Sequence, residues 1–233
     1  MERETRDERM DDPALAAAEL RRSLLDLRRL NRLGRFGARF ARTVLAHLPA
    51  PDGDRAALLC DLGTGTADLP AAVIEAAEAT GLRVRVLAVD TNHRSLRFAR
   101  AQGLPPGVFP VVADARRLPL RDGGVAVVFS SLFLHHLPPG EETAVLRESA
   151  RVSSGRLVMS DLRRGRLRLG LVWLAARLFA RSPVTHEDAP LSVRRSLTLA
   201  EVRHVAAHSG LARFTARRQF PVRWLLTTRG ERP

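Results

Sequence analysis

Short aliphatic runs alternate with segments of helical pattern from residue 56 onward, and this alternation limits the possible fold more than any other feature of the chain. Strands that alternate with helices build βαβ units, whose crossovers make the strands parallel and place helices on both faces of the sheet. The sequence therefore predicts an α/β fold with a doubly wound parallel sheet. The five runs are ALLCDL, RVRVLAVD, VFPVVAD, VAVVFSS and GRLVMSD.

Further elements are predicted on both sides of this parallel core. Before it, apolar residues recur at helical spacing in two segments, so two amphipathic helices precede the first strand. Asp12 followed by Pro13 predicts the start of the first helix, and residues 1–11 are predicted to be disordered. After it, RFTARRQF and VRWLLTTR are joined by so short a connection that only a hairpin is possible, which predicts an antiparallel strand at the end of the sheet.

These elements divide the chain into two regions. Residues 1–50 are predicted to form a helical cap and residues 51–233 the main domain, with a helical insertion at about 163–192 after the fifth strand. Within the insertion, residues 166–181 predict a basic amphipathic helix that packs over the functional site or, as a second possibility, lies on a membrane surface. The sequence that follows it, SPVTHEDAPLSVRRSL, is predicted to be irregular.

The chain has a formal net charge of +13, with 38 basic residues that are all arginine and 25 acidic residues. Because the arginines are spread along the chain, this charge only weakly indicates a nucleic-acid partner.

The sole cysteine, Cys60, lies in a strand-like run, so the chain has neither an internal disulfide nor a cysteine metal site. The first residues are charged rather than apolar and the longest apolar segment is short and contains arginines, so the cytoplasm is the predicted location.

A glycine turn follows the first strand, in the sequence LCDLGTGTADL. A dinucleotide site has a third glycine three positions after the second, where this chain has Asp68. A carboxylate there, together with Asp61 at the tip of the strand, would repel a diphosphate. A ligand that is cationic near the glycines reverses this argument, and S-adenosylmethionine carries an ammonium and a sulfonium but no phosphate.

Two more acidic residues follow the next two strands. Asp90 ends the second strand, where a carboxylate can accept hydrogen bonds from both hydroxyls of a ribose. Asp114 follows the third strand, where it can accept a bond from an adenine amino group while Ala115 offers its backbone N–H to the ring. Because open α/β sheets bind ligands at the carboxyl ends of their strands, Asp61, Asp90 and Asp114 are predicted to line one site.

The ordered motifs CDLGTGTADL, LAVD, VADARRLPL and VVFSSLFLHHL resemble those of class I S-adenosylmethionine-dependent methyltransferases, specifically the small-molecule branch related to ubiquinone and menaquinone biosynthesis. The resemblance covers about residues 56–161 and implies a Rossmann-like fold with a seven-stranded sheet whose last strand is antiparallel. It also implies a set of cofactor contacts, to the methionine moiety, the ribose, the adenine and the sulfonium end. The implied residues are Asp61, Gly63 and Gly65 for methionine, Asp90 for ribose, Thr91, Asp114 and Ala115 for adenine, and Ser130 near the sulfonium.

The sequence departs from the family's pattern in two places. Ala67 takes the third small position of the first motif, and Ala126 stands where the family has an acidic residue before the fourth strand. Neither change removes a cofactor contact that can be named.

Candidate catalytic residues follow the fourth strand. His135 or His136 could remove a proton from a substrate hydroxyl, since imidazole titrates near neutrality, or could simply pack or cap. Methyl transfer can also proceed on alignment and desolvation alone. No metal site is predicted, because His186, Glu187 and Asp188 are too close in sequence to converge readily on one ion. Arg194 and Arg195 could bind an anionic substrate group, although exposure to water is favoured slightly.

The resemblance implies an enzyme that transfers the methyl group of S-adenosylmethionine to a small hydrophobic or aromatic metabolite, with oxygen favoured over carbon or nitrogen as the acceptor atom. The N-terminal helices and the insertion are expected to form the acceptor pocket. Two alternatives stay open, an RNA or protein methyltransferase and a non-catalytic cofactor-binding protein of the same fold. The partners predicted are thus S-adenosylmethionine and a small-molecule acceptor; nucleic acid is disfavoured, and contact with a membrane surface is left open.

Overall fold

The computed structural model describes residues 1–33, 36–50, 53, 55–153, 155–211 and 213–229, of which residues 32 and 33 are described in backbone only. Seven strands form one sheet in the order β3-β2-β1-β4-β5-β7-β6. The first five are parallel, and β7 is antiparallel to both β5 and β6. The strands are β1 (Ala57–Leu62), β2 (Val84–Asp90), β3 (Val108–Val112), β4 (Val127–Ser131), β5 (Leu157–Leu162), β6 (Phe214–Gln219) and β7 (Arg223–Thr228).

This sheet confirms the predicted fold class, a doubly wound seven-stranded sheet whose last strand in the sequence is antiparallel. One detail differs from the prediction. The hairpin folds back so that β7 pairs with β5, and β6 therefore forms the edge of the sheet. β7 contributes Trp224, Leu225 and Leu226, which are buried, whereas two of the six residues of β6 are exposed arginines that suit an edge.

Helices α3, α4 and α5 connect the parallel strands, and the other helices lie outside that repeat. Both faces of the sheet are covered, so residues that alternate along β1 enter different cores: Leu59 packs with Phe40 and Phe129, and Cys60 packs with Val128 and Met159. The helices are α1 (Ala17–Leu33), α2 (Phe36–Leu45), α3 (Asp68–Glu78), α4 (His93–Ala101), α5 (Glu141–Ser153), α6 (Arg166–Phe179), α7 (Pro183–Arg195) and α8 (Leu199–His208).

The N-terminal segment, residues 1–11, has a defined path over the protein, so the prediction of disorder is corrected. Its contacts are polar and connect it to distant parts of the chain: the backbone N–H groups of Arg9 and Met10 donate to the Asp188 carboxylate at 2.9 and 3.0 Å. Glu8 is almost completely buried. α1 begins at Ala17 rather than at Asp12, because Asp12 instead accepts the N–H of Ala14 in a turn.

The sequence predicted to be irregular after the basic helix forms helix α7, and this prediction was wrong. Pro183 stands at the first turn of α7, where its missing N–H costs nothing. The carboxylate of Asp26 in α1 accepts the N–H groups of Arg181 and Ser182 at 2.8 and 2.7 Å, which fixes the chain just before α7. Pro190 lies inside α7, although proline is disfavoured in the interior of a helix.

The predicted insertion therefore consists of α6 and α7, and it packs against α1. Among the described residues, every helix falls short of the length and hydrophobicity that crossing a bilayer requires. The predicted boundary at residue 51 falls outside the described residues, so the division into a cap of residues 1–50 and a main domain stays a prediction.

Candidate functional site

A cavity of about 820 Å³ opens at the carboxyl ends of the parallel strands. Its wall includes the glycine turn after β1 and the residues that follow β2 and β3. Apolar side chains of two helices also line it, Leu24, Leu27 and Leu30 of α1 and Val172 and Ala175 of α6. Residues of the N-terminal segment complete the wall, so α1, α6 and the first residues of the chain enclose the space above the sheet.

The glycine turn is held by the strand beside it. One carboxylate oxygen of Asp90 accepts the backbone N–H of Gly65 at 2.8 Å, and the other accepts that of Asn92 at the same distance. Gly65 has a φ of +52°, and a side chain there would meet no atom within 4 Å, so its backbone faces open space in the cavity wall. Gly63 has a φ of +62°, and a Cβ would come within 2.4 Å of the Phe133 ring. Both positions require glycine, Gly63 because of packing and Gly65 because of backbone conformation.

The two carboxylates near this turn lack a basic partner. Among the described residues, no salt bridge is formed by Asp61 or Asp90. Burial raises the pKa of Asp61 well above its ordinary value, and the nearby charge of Asp90 adds to this effect. Burial likewise raises the pKa of Asp90. Unpaired carboxylates beside a cavity favour a cationic ligand and disfavour a diphosphate, so the residues present fit S-adenosylmethionine.

The structure brings most of the predicted cofactor residues into the cavity wall but not all of them. Gly63, Gly65, Asp90, Thr91, Asp114 and Ala115 line the cavity. Asp61 and Ser130 do not line the cavity, and both are buried, each 2% exposed. Asp61 lies near the glycine turn, and Ser131 lines the cavity in place of its neighbour Ser130.

Asp114, predicted to bind adenine, already has a partner in the structure. The Arg116 guanidinium donates to both of its carboxylate oxygens at 2.6–3.0 Å and also pairs with Glu141. The Arg116 side chain and backbone N–H hold the pKa of Asp114 below its ordinary value despite some burial. Asp114 is thus positioned by Arg116, and any bond to adenine would share its carboxylate with this ion pair.

The two histidines predicted as bases both line the cavity and stand in a chain of ion pairs. His135 Nδ1 lies 2.7 Å from Oδ1 of Asp161, and its Nε2 lies 3.4 Å from Oε1 of Glu8. His136 Nδ1 lies 2.7 Å from Oδ2 of Asp11, and its Nε2 lies 3.9 Å from Oε2 of Glu8. The order of the chain is therefore Asp161, His135, Glu8, His136, Asp11.

The charges in this chain shift one another's pKa values. Burial by itself would lower the pKa of His136, but Glu8 and Asp11 outweigh burial and raise it to about 10. Burial also opposes the charge on His135, yet Asp161 raises the net pKa of that imidazole. Burial would raise the pKa of Glu8, but the two histidines lower it to about 2. His136 is therefore held protonated near neutral pH, and the surrounding carboxylates favour the protonated form of His135.

Sequence analysis missed Glu8, which stands between the two histidines. It lies in the segment predicted to be disordered, and nothing in the local pattern MERETRDERMDD sets it apart from its acidic neighbours. The donor atoms of Glu8, His135 and His136 lie within 4.8 Å of one another, close enough to hold a metal ion. In the structure, Glu8 forms ion pairs with both of these histidines.

The polar cluster His186, Glu187 and Asp188 does not converge on one point. Asp188 receives the N-terminal segment, Glu187 pairs with Arg9 at the surface, and His186 Nε2 lies 3.1 Å from the carbonyl oxygen of Ala180. Asp188 and Glu187 connect α7 to the N-terminal segment, and His186 connects it to the residue that follows α6.

Arg195, for which exposure to water was favoured, is buried. Its guanidinium donates to the carbonyl oxygens of His135 and His136 at 2.9 and 2.8 Å, and to that of Thr5 at 3.1 Å. It thereby connects α7, the histidines and the N-terminal segment. Arg223 of β7 was also missed: it lines the cavity and donates to Ser131 Oγ at 2.9 Å.

The sheet order, the glycine turn and the acidic residues after successive strands define the class of protein as a Rossmann-like methyltransferase. A family described as "Methyltransferase domain" matches residues 59–154, which span the strands β1 to β4 and helix α5. Among curated proteins, no sequence is similar enough to match.

Solved structures with the same fold are similar to the whole chain. A protein assigned as an S-adenosyl-L-methionine-dependent methyltransferase from Methanococcus maripaludis has a TM-score of 0.65 at 14% identity, covering 96% of this chain and 98% of its own. The plantazolicin methyltransferase, solved with a triazolic substrate analogue and SAH, has 0.60 at 12%, covering 91% and 96%. Magnesium protoporphyrin IX methyltransferase from Synechocystis PCC 6803, with bound SAH, has 0.52 at 20%, covering 82% of each chain.

Residues 59–154 thus match a methyltransferase domain, and the chain has the fold of S-adenosylmethionine-dependent methyltransferases, a combination that indicates an enzyme of this kind with S-adenosylmethionine as its cofactor.

Proposed function

We propose that this enzyme methylates an oxygen atom of a small hydrophobic or aromatic metabolite, and that it is most closely related to the ubiquinone and menaquinone branch of the class. The observation that carries the proposal is that one cavity is lined both by the glycine turn and by apolar side chains of α1 and α6. A cavity of about 820 Å³ has the size of a site for small molecules. Two of the structural neighbours are named for the compounds magnesium protoporphyrin IX and plantazolicin, which supports the proposal.

The proposed residue roles follow from where each side chain lies. Gly63 and Gly65 let the backbone approach the methionine moiety, Asp90 accepts bonds from ribose hydroxyls while it also holds the turn, and Thr91, Asp114 and Ala115 face adenine. Asp61 is buried in β1 and does not line the cavity, so its contribution to cofactor binding is indirect. When bound, the cofactor would supply a methyl group attached to its sulfonium. The neutral thioether of S-adenosylhomocysteine would be the leaving group.

The histidines act on the acceptor. His136 is the more exposed of the two imidazoles and is the better candidate to accept the hydroxyl proton, while His135 is held in orientation by Asp161. Because Glu8 and Asp11 raise the pKa of His136, it can serve as a base only after it has lost its own proton. The apolar wall excludes water and aligns the acceptor with the methyl group. An acceptor that is already ionised, such as an acidic phenol, needs only this alignment.

Calorimetric titration of S-adenosylmethionine and S-adenosylhomocysteine tests the proposed cofactor contacts. We expect binding by the wild-type protein and at least about tenfold weaker binding by Asp90→Ala, a loss of ~1.4 kcal/mol. Asp122→Ala is the matched control, because Asp122 is an exposed carboxylate that pairs only with Arg151 on the surface. Equal affinities for Asp90→Ala and the wild type would refute the role of Asp90.

Transfer of a labelled methyl group from S-adenosylmethionine tests the acceptor. The panel contains phenols, hydroxyquinones, aliphatic carboxylates, amines, bulk RNA and unfolded protein. We expect labelled product from apolar phenols or hydroxyquinones, with the label released as methyl iodide when hydriodic acid cleaves the methyl ether. Label found only in RNA or protein would replace the proposal with the macromolecular alternative, which the net charge of +13 supports. Cofactor binding without transfer to any acceptor in the panel would favour a non-catalytic protein.

A further inference from the structure

The outer face of α6 is the most apolar exposed surface of the described chain. Large apolar side chains at four positions of α6 are spaced by three or four residues, so they form one stripe along the helix. The six large apolar side chains that α6 exposes are each 42–70% accessible to solvent. They are Leu167, Leu171, Leu174 and Leu178 in the stripe, with Trp173 and Phe179 beside it. No other described helix exposes more than one large apolar side chain.

Basic residues flank this stripe and acidic residues are absent from it. Arg166 and Arg177 of α6 are exposed, as is Arg181 just beyond it, and the sequence RLRLGLVWLAARLF of α6 contains no aspartate or glutamate. The guanidinium of Arg177 lies over the ring of Trp173, 5.8 Å from its centroid. An amphipathic helix with arginines along its polar border and tryptophan and leucine on its apolar face is suited to the interface of an anionic bilayer.

We propose that α6 binds this enzyme to the surface of anionic lipid membranes, with its leucine stripe among the acyl chains and its arginines among the lipid phosphates. α6 has 14 residues and is about 21 Å long, so it lies in the plane of the interface and does not cross the bilayer. The attraction has two parts, burial of apolar surface and electrostatic attraction to the lipids.

A second copy of the chain fits this surface less well than a membrane does. A symmetric dimer formed through the stripe would bring the α6 helices together, and each helix carries exposed arginines without any acidic residue to pair with them. The like charges would meet across the interface. An anionic membrane supplies the opposite charge and the apolar surface together.

Because α6 also lines the cavity, binding to a membrane through α6 would bring the cavity close to the lipid. Val172 and Ala175, on the inner face of the same helix, line the cavity. A membrane held against the outer face would therefore lie one helix away from the proposed acceptor site. The inference itself does not depend on the acceptor, because binding to lipid can be measured without cofactor or substrate.

Vesicle sedimentation tests the proposal on the full chain. We expect the protein to bind vesicles of phosphatidylcholine with phosphatidylglycerol at least about tenfold more tightly than vesicles of phosphatidylcholine alone. The binding should weaken in 1 M NaCl, where the Debye length is about 3 Å. Leu171→Ser/Leu174→Ser should weaken it about tenfold or more by removing apolar burial. Arg166→Gln/Arg177→Gln should weaken it by a similar factor by removing charge.

Matched controls separate α6 from the rest of the surface. Phe109→Ser/Val112→Ser removes two exposed apolar side chains from edge strand β3, and Arg117→Gln/Arg121→Gln removes two exposed arginines far from α6 in sequence. Both control variants should bind vesicles like the wild type. Circular dichroism and urea unfolding establish that all four variants are folded.

Three results would overturn the proposal. One is a lack of binding to the anionic vesicles by the wild type. Another is an equal loss of binding in the α6 variants and their controls. The third is a dimer, seen by sedimentation velocity without lipid, that dissociates in Leu171→Ser/Leu174→Ser, since the stripe would then be covered by a second copy.

Discussion

Glu8 and His135 form a buried pair in which Oε1 of Glu8 lies 3.4 Å from Nε2 of His135, although one belongs to the first residues of the chain and the other follows the fourth strand. Each is 3% exposed. The pair joins the N-terminal segment to the sheet at the cavity, so the first residues of this protein are part of its candidate active site. Its stability, protonation and ligand binding should therefore depend on contacts that are distant in sequence.

Glu8→Gln should strongly destabilise the protein. The substitution removes the carboxylate that stabilises the protonated imidazoles of His135 and His136. Breaking a buried charge pair costs about 3–5 kcal/mol. Urea unfolding at pH 7 measures the change in free energy of unfolding. The control is Glu187→Gln, which breaks an exposed pair with Arg9 and should cost at most ~1 kcal/mol. Similar losses of unfolding free energy in the two variants would show that the buried pairs of Glu8 contribute no more to stability than an exposed ion pair.

The contribution of His136 to stability should depend on pH. Its folded-state pKa is raised from about 6.5 to about 10 by Glu8 and Asp11 against the opposing effect of burial. The stabilisation is therefore complete below about pH 6.5 and is lost as the pH rises through 10, amounting to ~1.4 kcal/mol for each unit of pKa difference. The difference in unfolding free energy between the wild type and His136→Gln should shrink from pH 6.5 to pH 10.

The control for this measurement is His208→Gln, which removes an exposed imidazole from the last turn of α8. Its difference from the wild type should stay nearly constant over the same range. A wild-type advantage over His136→Gln that grows with pH would contradict the assignment of a raised pKa.

The two glycines of the turn should respond differently to substitution by alanine. Gly63→Ala forces a Cβ to within 2.4 Å of the Phe133 ring, and overpacking of this kind costs about 1–3 kcal/mol of stability in addition to the strain of a positive φ. Gly65→Ala meets no atom within 4 Å, so its cost is mainly the ~1–2 kcal/mol of left-handed backbone. Because Gly65 lines the cavity, its new methyl group should also weaken cofactor binding.

Thermal unfolding and calorimetric titration of S-adenosylhomocysteine together separate these effects. Gly63→Ala should show the larger drop in melting temperature, whereas Gly65→Ala should lose at least about tenfold in affinity while staying folded. Unchanged affinity in Gly65→Ala would place the cofactor away from this backbone.

Arg195→Lys should destabilise the protein although it keeps the charge. A lysine cannot reproduce the planar fork by which Arg195 donates to the carbonyl oxygens of His135, His136 and Thr5. We expect a loss of about 2–3 kcal/mol, measured by urea unfolding, because buried carbonyl groups lose their donors. Arg194→Lys is the matched control, since Arg194 is the exposed neighbour in α7, and it should change stability by less than ~0.5 kcal/mol. Equal effects would mean that Arg195 acts only through its charge.

The sequence by itself determined the sheet and the edge at which the cavity opens. Five parallel strands follow from the alternation of aliphatic runs and helical segments, and the hairpin of β6 and β7 follows from the short connection at Pro221. The acidic residues on both sides of the glycine turn indicated a cationic ligand. Asp90 and Asp114, at the next two strands, indicated where it binds, because strand ends in a parallel sheet meet at one edge. These signals are local or periodic, so they can be recognised without knowing which distant residues touch.

Only the tertiary structure decided which residues of the N-terminal segment line the cavity. Residues 1–11 show no periodicity, yet they are held by Asp188, Ser192 and Arg195, all of which come from α7. That helix was itself predicted to be irregular, and it contains Pro190, a residue that is disfavoured inside helices. Glu8 is therefore buried by long-range polar contacts between two segments whose local sequences predict neither a helix nor a site. Such contacts depend on the spatial arrangement of elements far apart in the chain, and no local pattern of residues encodes that arrangement.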